Sequence, residues 1–140
     1  RLIEENSAAQ SFDAVLANPP FRSPVEGKIS LGDERGMARH ELAGDLGDFL
    51  RAARFLLKNK GRLFLVHLPE RLVEILALLR EIGLEPKRLR MVHSRIGEEA
   101  SLILLEARRD GRPGLKIEPP LFIYGGGGEY SAEVRQIYGD

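Results

Sequence analysis

The sequence predicts an α/β domain built on a mixed, mostly parallel sheet. Two apolar strand segments alternate with two segments of helical periodicity, in the order residues 12–17, 46–57, 63–68 and 69–82. Such alternation is typical of parallel strands joined by crossover helices. Two further apolar segments, residues 89–93 and 101–107, are separated only by the stretch SRIGEEA. A connection this short allows an antiparallel pair, which would make the sheet mixed.

The first strand is predicted from Phe12 and the apolar run Ala14–Ala17, and the prolines that follow it end the strand. The next segment, residues 22–44, shows no sustained periodicity. Long loops in compact domains are usually functional or mobile, so a long mobile loop is expected here. The residues that interrupt this segment are Pro24, Gly27, Gly32, Gly36 and Gly44.

Three helices are predicted from apolar spacing and from end signals. The first should end at Gly61 and bury one face, formed by Leu46, Phe49, Leu50, Ala53, Leu56 and Leu57. The second should begin near Pro69 and end at Gly83, with a buried stripe of Leu72, Ile75, Leu76 and Leu79. A short third helix, residues 132–138, should follow Ser131 as its N-cap.

Composition narrows the class of protein. The 140 residues suit one compact domain, and the 21 basic and 21 acidic residues give no net charge. The absence of cysteine excludes disulfides and thiolate metal sites, and no other metal-ligand spacing is found, so no metal is predicted. No apolar run reaches the roughly 18 residues that cross a bilayer, which predicts a cytoplasmic protein without a membrane partner. A start at Arg1, without Met, predicts a piece of a longer protein.

The stretch FDAVLANPPF carries the main functional signal. Ligands bind beyond the carboxyl ends of strands in such sheets, and Asn18, Pro19, Pro20 and Phe21 follow a strand. Two prolines stiffen the turn and leave its carbonyls free, and the Asn18 amide oxygen is a further acceptor. Phe21 offers a flat surface for stacking. The pattern favours an amino group on a planar π-system over a plain proline turn with a packed Phe.

NPPF after the strand FDAVLA resembles motif IV of class I S-adenosylmethionine-dependent methyltransferases that act on exocyclic amino groups. Longer phrases resemble the bacterial tRNA1(Val) adenine-N6 methyltransferase family, which modifies the adenine next to the anticodon. They extend over nearly the whole chain: ARHE (38–41), RFLLKNKGRLFLVHLPERL (54–72), GLEPKRLRMVH (83–93), DGRPGLKIEPPLFIY (110–124) and GEYSAEVRQIYG (128–139).

This resemblance implies a Rossmann-like sheet of seven strands ending in an antiparallel hairpin. Residues 1–140 would form the C-terminal portion of a single methyltransferase domain. Asn18 Oδ1 and the Pro19 carbonyl would accept the hydrogens of the adenine amino group, while Phe21 stacks on the flipped base. Asn18 would border the cofactor pocket, but the other cofactor-binding residues are unknown.

The cofactor implied is S-adenosylmethionine. The family's Gly-rich loop after the first strand has no counterpart before Phe12, and the run Gly125–Gly128 is interpreted as a surface loop. The chain alone is therefore expected to bind no cofactor and to be inactive.

Basic residues predict a surface for tRNA. Arg39 and His40 are candidates in the loop, and Lys87, Arg88 and Arg90 are candidates in the most basic region, although solvated charges are an alternative for both. Two further histidines are interpreted as structural, namely His67 and His93.

Other functions share the motif. Guanine-N2 methylation of ribosomal RNA and glutamine-N5 methylation of protein are alternatives within the class, and a non-catalytic RNA-binding module is an alternative outside it. The strand at residues 12–17 would lie inside a complete sheet, so in this chain it is expected to be an unpaired edge that joins a homodimer.

Overall fold

The computed structural model describes residues 9–18, 27–33, 36–42 and 45–139 of the chain. Within this part, eight strands form one mixed sheet in the order β3-β2-β1-β4-β6-β5-β7, and β8 pairs with the same strand, β5, as β7 does. The strands are β1 (Phe12–Asn18), β2 (Gly27–Asp33), β3 (Gly36–Leu42), β4 (Leu57–His67), β5 (Leu84–His93), β6 (Ala100–Arg109), β7 (Lys116–Ile117) and β8 (Leu121–Phe122).

The described sheet is mixed, as predicted, but the prediction that it is mostly parallel is wrong. Four of its five long strand pairs, β1–β2, β2–β3, β4–β6 and β5–β6, are antiparallel. β1 runs parallel to β4, whereas β6 lies antiparallel between β4 and β5. The short strands β7 and β8 both run parallel to β5. Consequently β1, β4, β5 and β8 all point in one direction, and their carboxyl ends meet at one edge of the sheet.

The helices begin and end at local signals. α1 (Leu46–Leu56) has a capping box in which Asp45 and Asp48 each accept a backbone N–H from the other. A single 3₁₀ turn (Pro69–Arg71) leads into α2 (Leu72–Ile82), which ends at Gly83 with φ of 94°. α3 (Ala132–Ile137) starts at Ser131, whose hydroxyl accepts the Val134 N–H. No helix in these ranges is long and apolar enough to cross a membrane.

The main core lies between one face of the sheet and the helices α1 and α2. The stripe predicted for α2 is confirmed for Ile75 and Leu79, which are fully buried, while Leu72 and Leu76 are partly buried. The opposite face carries a much smaller cluster, formed by Val92, Leu121 and Val134, under α3. Most of that second face is therefore left without a covering helix among the described residues.

The predicted loop is wrong for residues 27–33 and 36–42, because β2 and β3 form an antiparallel pair and β2 also pairs with β1. The other residues of the predicted segment 22–44 lie outside the described residues. The register places Leu16 opposite Ser30 and Asp33 opposite Gly36. Backbone hydrogen bonding to β1 stabilises this segment despite its glycines. The alternation of Ile29 and Leu31 with polar residues was the available signal.

The role predicted for Gly61 is also wrong. α1 ends at Leu56, its C-cap Leu57 is extended, and Gly61 lies inside β4. A Cβ at Gly61 would come within 2.8 Å of the Lys58 carbonyl oxygen. Close backbone approach inside a strand, and not a helix end, accounts for this glycine.

The predicted free edge of β1 is not found. β1 lies between β2 and β4, and its backbone pairs on both sides. The outermost strand on this side of the described sheet is β3. The expectation that an unpaired β1 joins a homodimer is therefore wrong in its physical reason. The homodimer itself stays a prediction.

Candidate active site at the carboxyl edge of the sheet

Asn18 is exposed at the last position of β1. Val15 and Ala17 are fully buried against the helices, so Leu16 and Asn18 lie toward the opposite face by strand alternation. The backbone of Ala17 pairs with Leu65 of β4. In the part of the chain that the structure describes, the Asn18 carboxamide makes no hydrogen bond. It is available to a ligand at the edge where α/β sheets bind their substrates.

The structure describes only the first residue of the predicted NPPF site. Pro19, Pro20 and Phe21 lie outside the described residues, so their proposed contacts with a base stay a prediction. The position of Asn18 at the carboxyl end of β1 agrees with the strand-to-turn context from which the motif was interpreted.

Arg39 and His40, both predicted to bind RNA, belong to β3. Their backbones pair with Ser30 and Ile29 of β2, and the placement of their side chains is outside the description. β3 is two strands from β1, a separation of roughly 10 Å at the usual strand spacing. The sheet therefore brings these residues to the same side of the molecule as Asn18.

The other basic candidates are engaged within the chain. Lys87 donates to the Arg112 carbonyl at 2.7 Å. Arg90 donates to the Pro119 carbonyl at 2.9 Å and to the carboxylate of Glu133. A phosphate at these positions would compete with existing partners, so their role in RNA binding stays a prediction.

Arg88 is held still more firmly, by Glu106. Its guanidinium donates to one carboxylate oxygen of Glu106 from both Nε and Nη2, at 2.9 and 2.6 Å. A second carboxylate, that of Glu118, lies 3.6 Å away. The hydrogen bond and charge of Glu106 raise the pKa of Arg88 above its usual value.

Sequence reasoning missed a groove of about 620 Å³ on the face opposite α1 and α2. Its floor contains apolar side chains of β1, β4 and β6, namely Leu16, Phe64, Val66 and Leu104. Charged residues that form ion pairs with one another line its far side, namely Arg88, Arg90, Glu106, Glu118 and Glu133. The signal was present, because the runs AVLA and LFLV are apolar on both faces, as in strands covered on both sides.

The histidine predicted to be structural in β4 is buried, as expected. His67 faces the helix-covered core, and its Nδ1 accepts the Leu68 N–H at 2.7 Å. Burial lowers the pKa of His67, and the nearby charge of Arg71 lowers it further. A neutral imidazole is therefore favoured at this position.

The second of these histidines, His93, ends β5 at the same edge. Its Nδ1 lies 2.8 Å from the Glu98 carbonyl oxygen, and its ring is 5.3 Å from that of Phe122. These contacts agree with the structural role predicted for it.

The run Gly125–Gly128 does not have the form of a cofactor-binding loop. Gly125–Gly128 form an exposed turn that joins Tyr124 to Glu129, which confirms the surface-loop interpretation. A Cβ at Gly125 or Gly127 would lie 2.6 Å from the Glu129 carboxylate. The glycines thus pack around an acidic side chain and do not lie between a strand and a helix.

Comparison with known proteins identifies the fold. No family model matches the chain, and no curated protein does. The structure is similar to a crystal structure of a predicted O-methyltransferase of Agrobacterium tumefaciens, with a TM-score of 0.73 and 21% sequence identity. The chain has a methyltransferase fold. This confirms the Rossmann-like α/β class predicted from the sequence.

The match is partial in length and distant in sequence. The likeness covers 97% of this chain and 55% of the neighbour, so the chain spans about half the length of the methyltransferase that it resembles. At 21% identity the likeness concerns the fold.

Proposed function

We propose that the complete gene product is a cytoplasmic, S-adenosylmethionine-dependent methyltransferase that acts on the N6 amino group of adenine in tRNA. One observation carries the proposal: in a methyltransferase fold, the exposed carboxamide of Asn18 stands at the carboxyl end of β1. Pro-Pro-Phe follows it in the sequence. This is the edge at which α/β sheets bind ligands.

The chemistry of Asn18 suits an aromatic amine. The lone pair of an exocyclic nitrogen is delocalised into the ring, which makes the nitrogen a weak nucleophile. A hydrogen bond from this NH₂ group to Asn18 Oδ1, together with one to the Pro19 carbonyl, favours a pyramidal nitrogen with a localised lone pair. Asn18 therefore acts by orientation and electrostatics and forms no covalent bond to the substrate.

Two acceptors favour an amino group over a hydroxyl group. An NH₂ group presents two hydrogens, which match the amide oxygen and one turn carbonyl, whereas a hydroxyl presents one. The neighbour from Agrobacterium is described as a predicted O-methyltransferase, so methylation of oxygen is the outcome against which the proposal is tested.

The methyl donor proposed is S-adenosylmethionine, whose binding the described residues do not account for. Asn18, at the end of β1, is the residue of this chain that would border the donor. Weak binding of the donor by the 140-residue chain alone, and its inactivity, stay predictions.

The proposed substrate is tRNA, with Arg39, His40, Lys87, Arg88 and Arg90 as candidate contacts. Methylation of guanine N2 or of glutamine N5 involves the same kind of planar amino group. The alternative outside this class is a module with the same fold that binds RNA without catalysis, in which Asn18 would have no catalytic role.

The product of the reaction tests the proposal. The complete gene product is incubated with unmodified tRNA transcripts and S-adenosylmethionine, and the nucleosides are identified by mass spectrometry after digestion. We expect N6-methyladenosine. Formation of N2-methylguanosine or of a 2′-O-methylated nucleoside would replace the proposed specificity, and RNA binding without methyl transfer would favour the non-catalytic module.

A further inference from the structure

Three tyrosines and one arginine form a cluster at the same edge of the sheet. The rings of Tyr124 and Tyr130 stack, with centroids 5.6 Å apart and planes inclined by 11°. Tyr138 follows, with its centroid 6.0 Å from that of Tyr130. The guanidinium carbon of Arg95 lies 5.0 Å from the centre of the Tyr124 ring. We call these four residues the aromatic platform.

The backbone holds the platform in place. Tyr124 N–H donates to the Ser94 carbonyl at 2.9 Å, which ties the segment after β8 to the segment after β5. Tyr124 and Tyr130 form a β-bridge around the glycine turn, and Ser131 caps α3, the helix that Tyr138 ends. Backbone hydrogen bonds therefore hold the segments that carry the rings.

Two of the three tyrosines are exposed to solvent. Tyr130 is 47% exposed and Tyr138 is 71% exposed. Tyr138 buries little surface, so it contributes little to the core. Exposed aromatic faces beside an arginine are the elements with which proteins bind unpaired nucleobases by stacking and cation–π contact.

The platform lies on the edge that carries Asn18. β1, β4, β5 and β8 run in one direction, and Tyr124 follows β8 by two residues. From β1 to β8 there are four strand spacings, roughly 19 Å at the usual separation. A strand of RNA with one base at Asn18 can therefore place bases a few nucleotides away near the platform.

We propose that the aromatic platform binds bases of single-stranded RNA that lie a few nucleotides from the nucleotide at Asn18. The proposal rests on the proposed function for its choice of ligand, since it names the surface that holds the substrate. It assigns Tyr130 and Tyr138 to base stacking, with Arg95 covering Tyr124.

The charges around the platform indicate that stacking contributes more to RNA affinity than attraction to phosphate does. Arg95 forms no ion pair among the described residues. Acidic side chains share its surroundings, namely Glu98 and Glu99 in the same turn and Glu129 beside the glycine turn. If Arg95 is the one cation in contact with a phosphate, a plot of the logarithm of RNA affinity against the logarithm of salt concentration should have a slope of about −0.7.

The tyrosines themselves report on binding. The chain has three tyrosines and no tryptophan, so all of its tyrosine emission arises from the platform. We expect saturable quenching when the 140-residue chain is titrated with an unstructured RNA oligonucleotide of adenosine and uridine. The corresponding single-stranded DNA should quench similarly, because stacking does not read the 2′-hydroxyl, and duplex RNA should not.

The RNA affinity of variants, measured by the fluorescence anisotropy of labelled RNA, tests whether the platform is the binding site. Tyr138→Ala should weaken binding by about tenfold, as removal of one stacking ring does, while Tyr138→Phe keeps the ring and should stay within about twofold. Val73→Ala is the matched control, because Val73 is 82% exposed on α2, on the other side of the sheet. Thermal unfolding confirms that each variant is folded.

Three results would overturn the proposal: no quenching by single-stranded RNA, equal affinity for duplex, or unchanged affinity of the Tyr138→Ala variant. A steep dependence of RNA affinity on salt concentration would also contradict the proposal, because it would indicate that the basic residues of β5 bind the RNA instead. This titration uses neither a methyl donor nor a reaction, so its result is independent of the methylation assay. The platform can prove not to bind RNA although methylation is observed, or it can bind RNA although methylation is absent.

Discussion

Glu106 is 8% exposed, and its carboxylate accepts two hydrogen bonds from the guanidinium of Arg88, which lies opposite it on the neighbouring strand. Burial of a carboxylate without such hydrogen-bond partners is costly. The next cation, Arg62, is 3.9 Å away. The pair therefore joins β5 to β6 on the open face of the sheet and sets the charge on one side of the groove.

Replacement of Arg88 by methionine should destabilise the chain, because Glu106 would remain buried without its main donor. Half of the Arg88 side chain is exposed, so water can partly replace it, and we expect a loss of about 1–2 kcal/mol. Urea unfolding measures the change. Lys58→Met is the matched control, since Lys58 and Asp13 form an exposed pair that should contribute less than about 1 kcal/mol. Equal losses in both variants would show that burial of Glu106 is not decisive.

Acid should destabilise the fold through His67. Burial lowers the pKa of His67 from its usual 6.5, so the unfolded chain binds this proton at a higher pH than the folded chain does. Stability is therefore complete above pH 6.5 and is lost as the pH falls toward the lowered native pKa. In urea titrations at several pH values, His67→Asn should flatten this slope. A wild-type stability that is constant below pH 6.5 would contradict the assignment.

Asn18→Ala in the complete gene product should abolish most methyl transfer and leave RNA affinity nearly unchanged, because the amide acts on the reacting nitrogen. We expect a fall in kcat of about 10²–10³, as for loss of one donor or acceptor at a reacting centre. Asn59→Ala is the control, an exposed asparagine near the start of β4. Phe21→Ala should have a smaller effect, and Phe21→Tyr should be tolerated since the ring is kept. A near wild-type rate for Asn18→Ala would refute the role of the motif.

Gly83→Ala should destabilise α2 at its C-terminus. Gly83 has φ of 94°, and a Cβ there would lie 2.9 Å from Nε of Arg54, a side chain that also pairs with Asp110. Gly97 has a similar φ of 88° with nothing within 4 Å, so Gly97→Ala measures the backbone cost alone, about 1 kcal/mol. Urea unfolding should show a larger loss for Gly83→Ala, about 2 kcal/mol. Equal losses would mean that Arg54 moves aside freely.

Self-association of the chain stays a prediction, with a changed physical reason. β1 is paired on both sides, and the outermost described strand is β3, whose outer backbone edge can pair with another copy. Light scattering over a concentration series should give twice the chain mass of 15.6 kDa. A constant mass of 15.6 kDa would contradict it. Val15→Lys is not informative, because Val15 is fully buried in the core and the variant is expected to unfold.

Local sequence determined the helices and most strands. The Gly83 end of α2, the Ser131 cap of α3 and the antiparallel pair after residue 88 were all predicted, because caps and apolar spacing act within a few residues. Asn18 was likewise found from its immediate neighbours, since a strand that ends in Asn-Pro-Pro is a local pattern. The order of these elements predicted a mixed α/β sheet, whereas the methyltransferase fold was implied by the resemblance of NPPF and the longer phrases to a known family.

Tertiary structure alone decided which strands pair and which side chains meet. β2 and β3 are strands because β1 offers β2 a backbone partner and β2 offers one to β3, pairings that depend on the complete fold. Arg88 is bound by Glu106 only because β6 inserts between β4 and β5. The aromatic platform combines residues 95, 124, 130 and 138, and they meet because two parallel strands and a helix end at one edge. Contacts between residues so far apart depend on strand register and packing, which the order of amino acids specifies only through the complete fold.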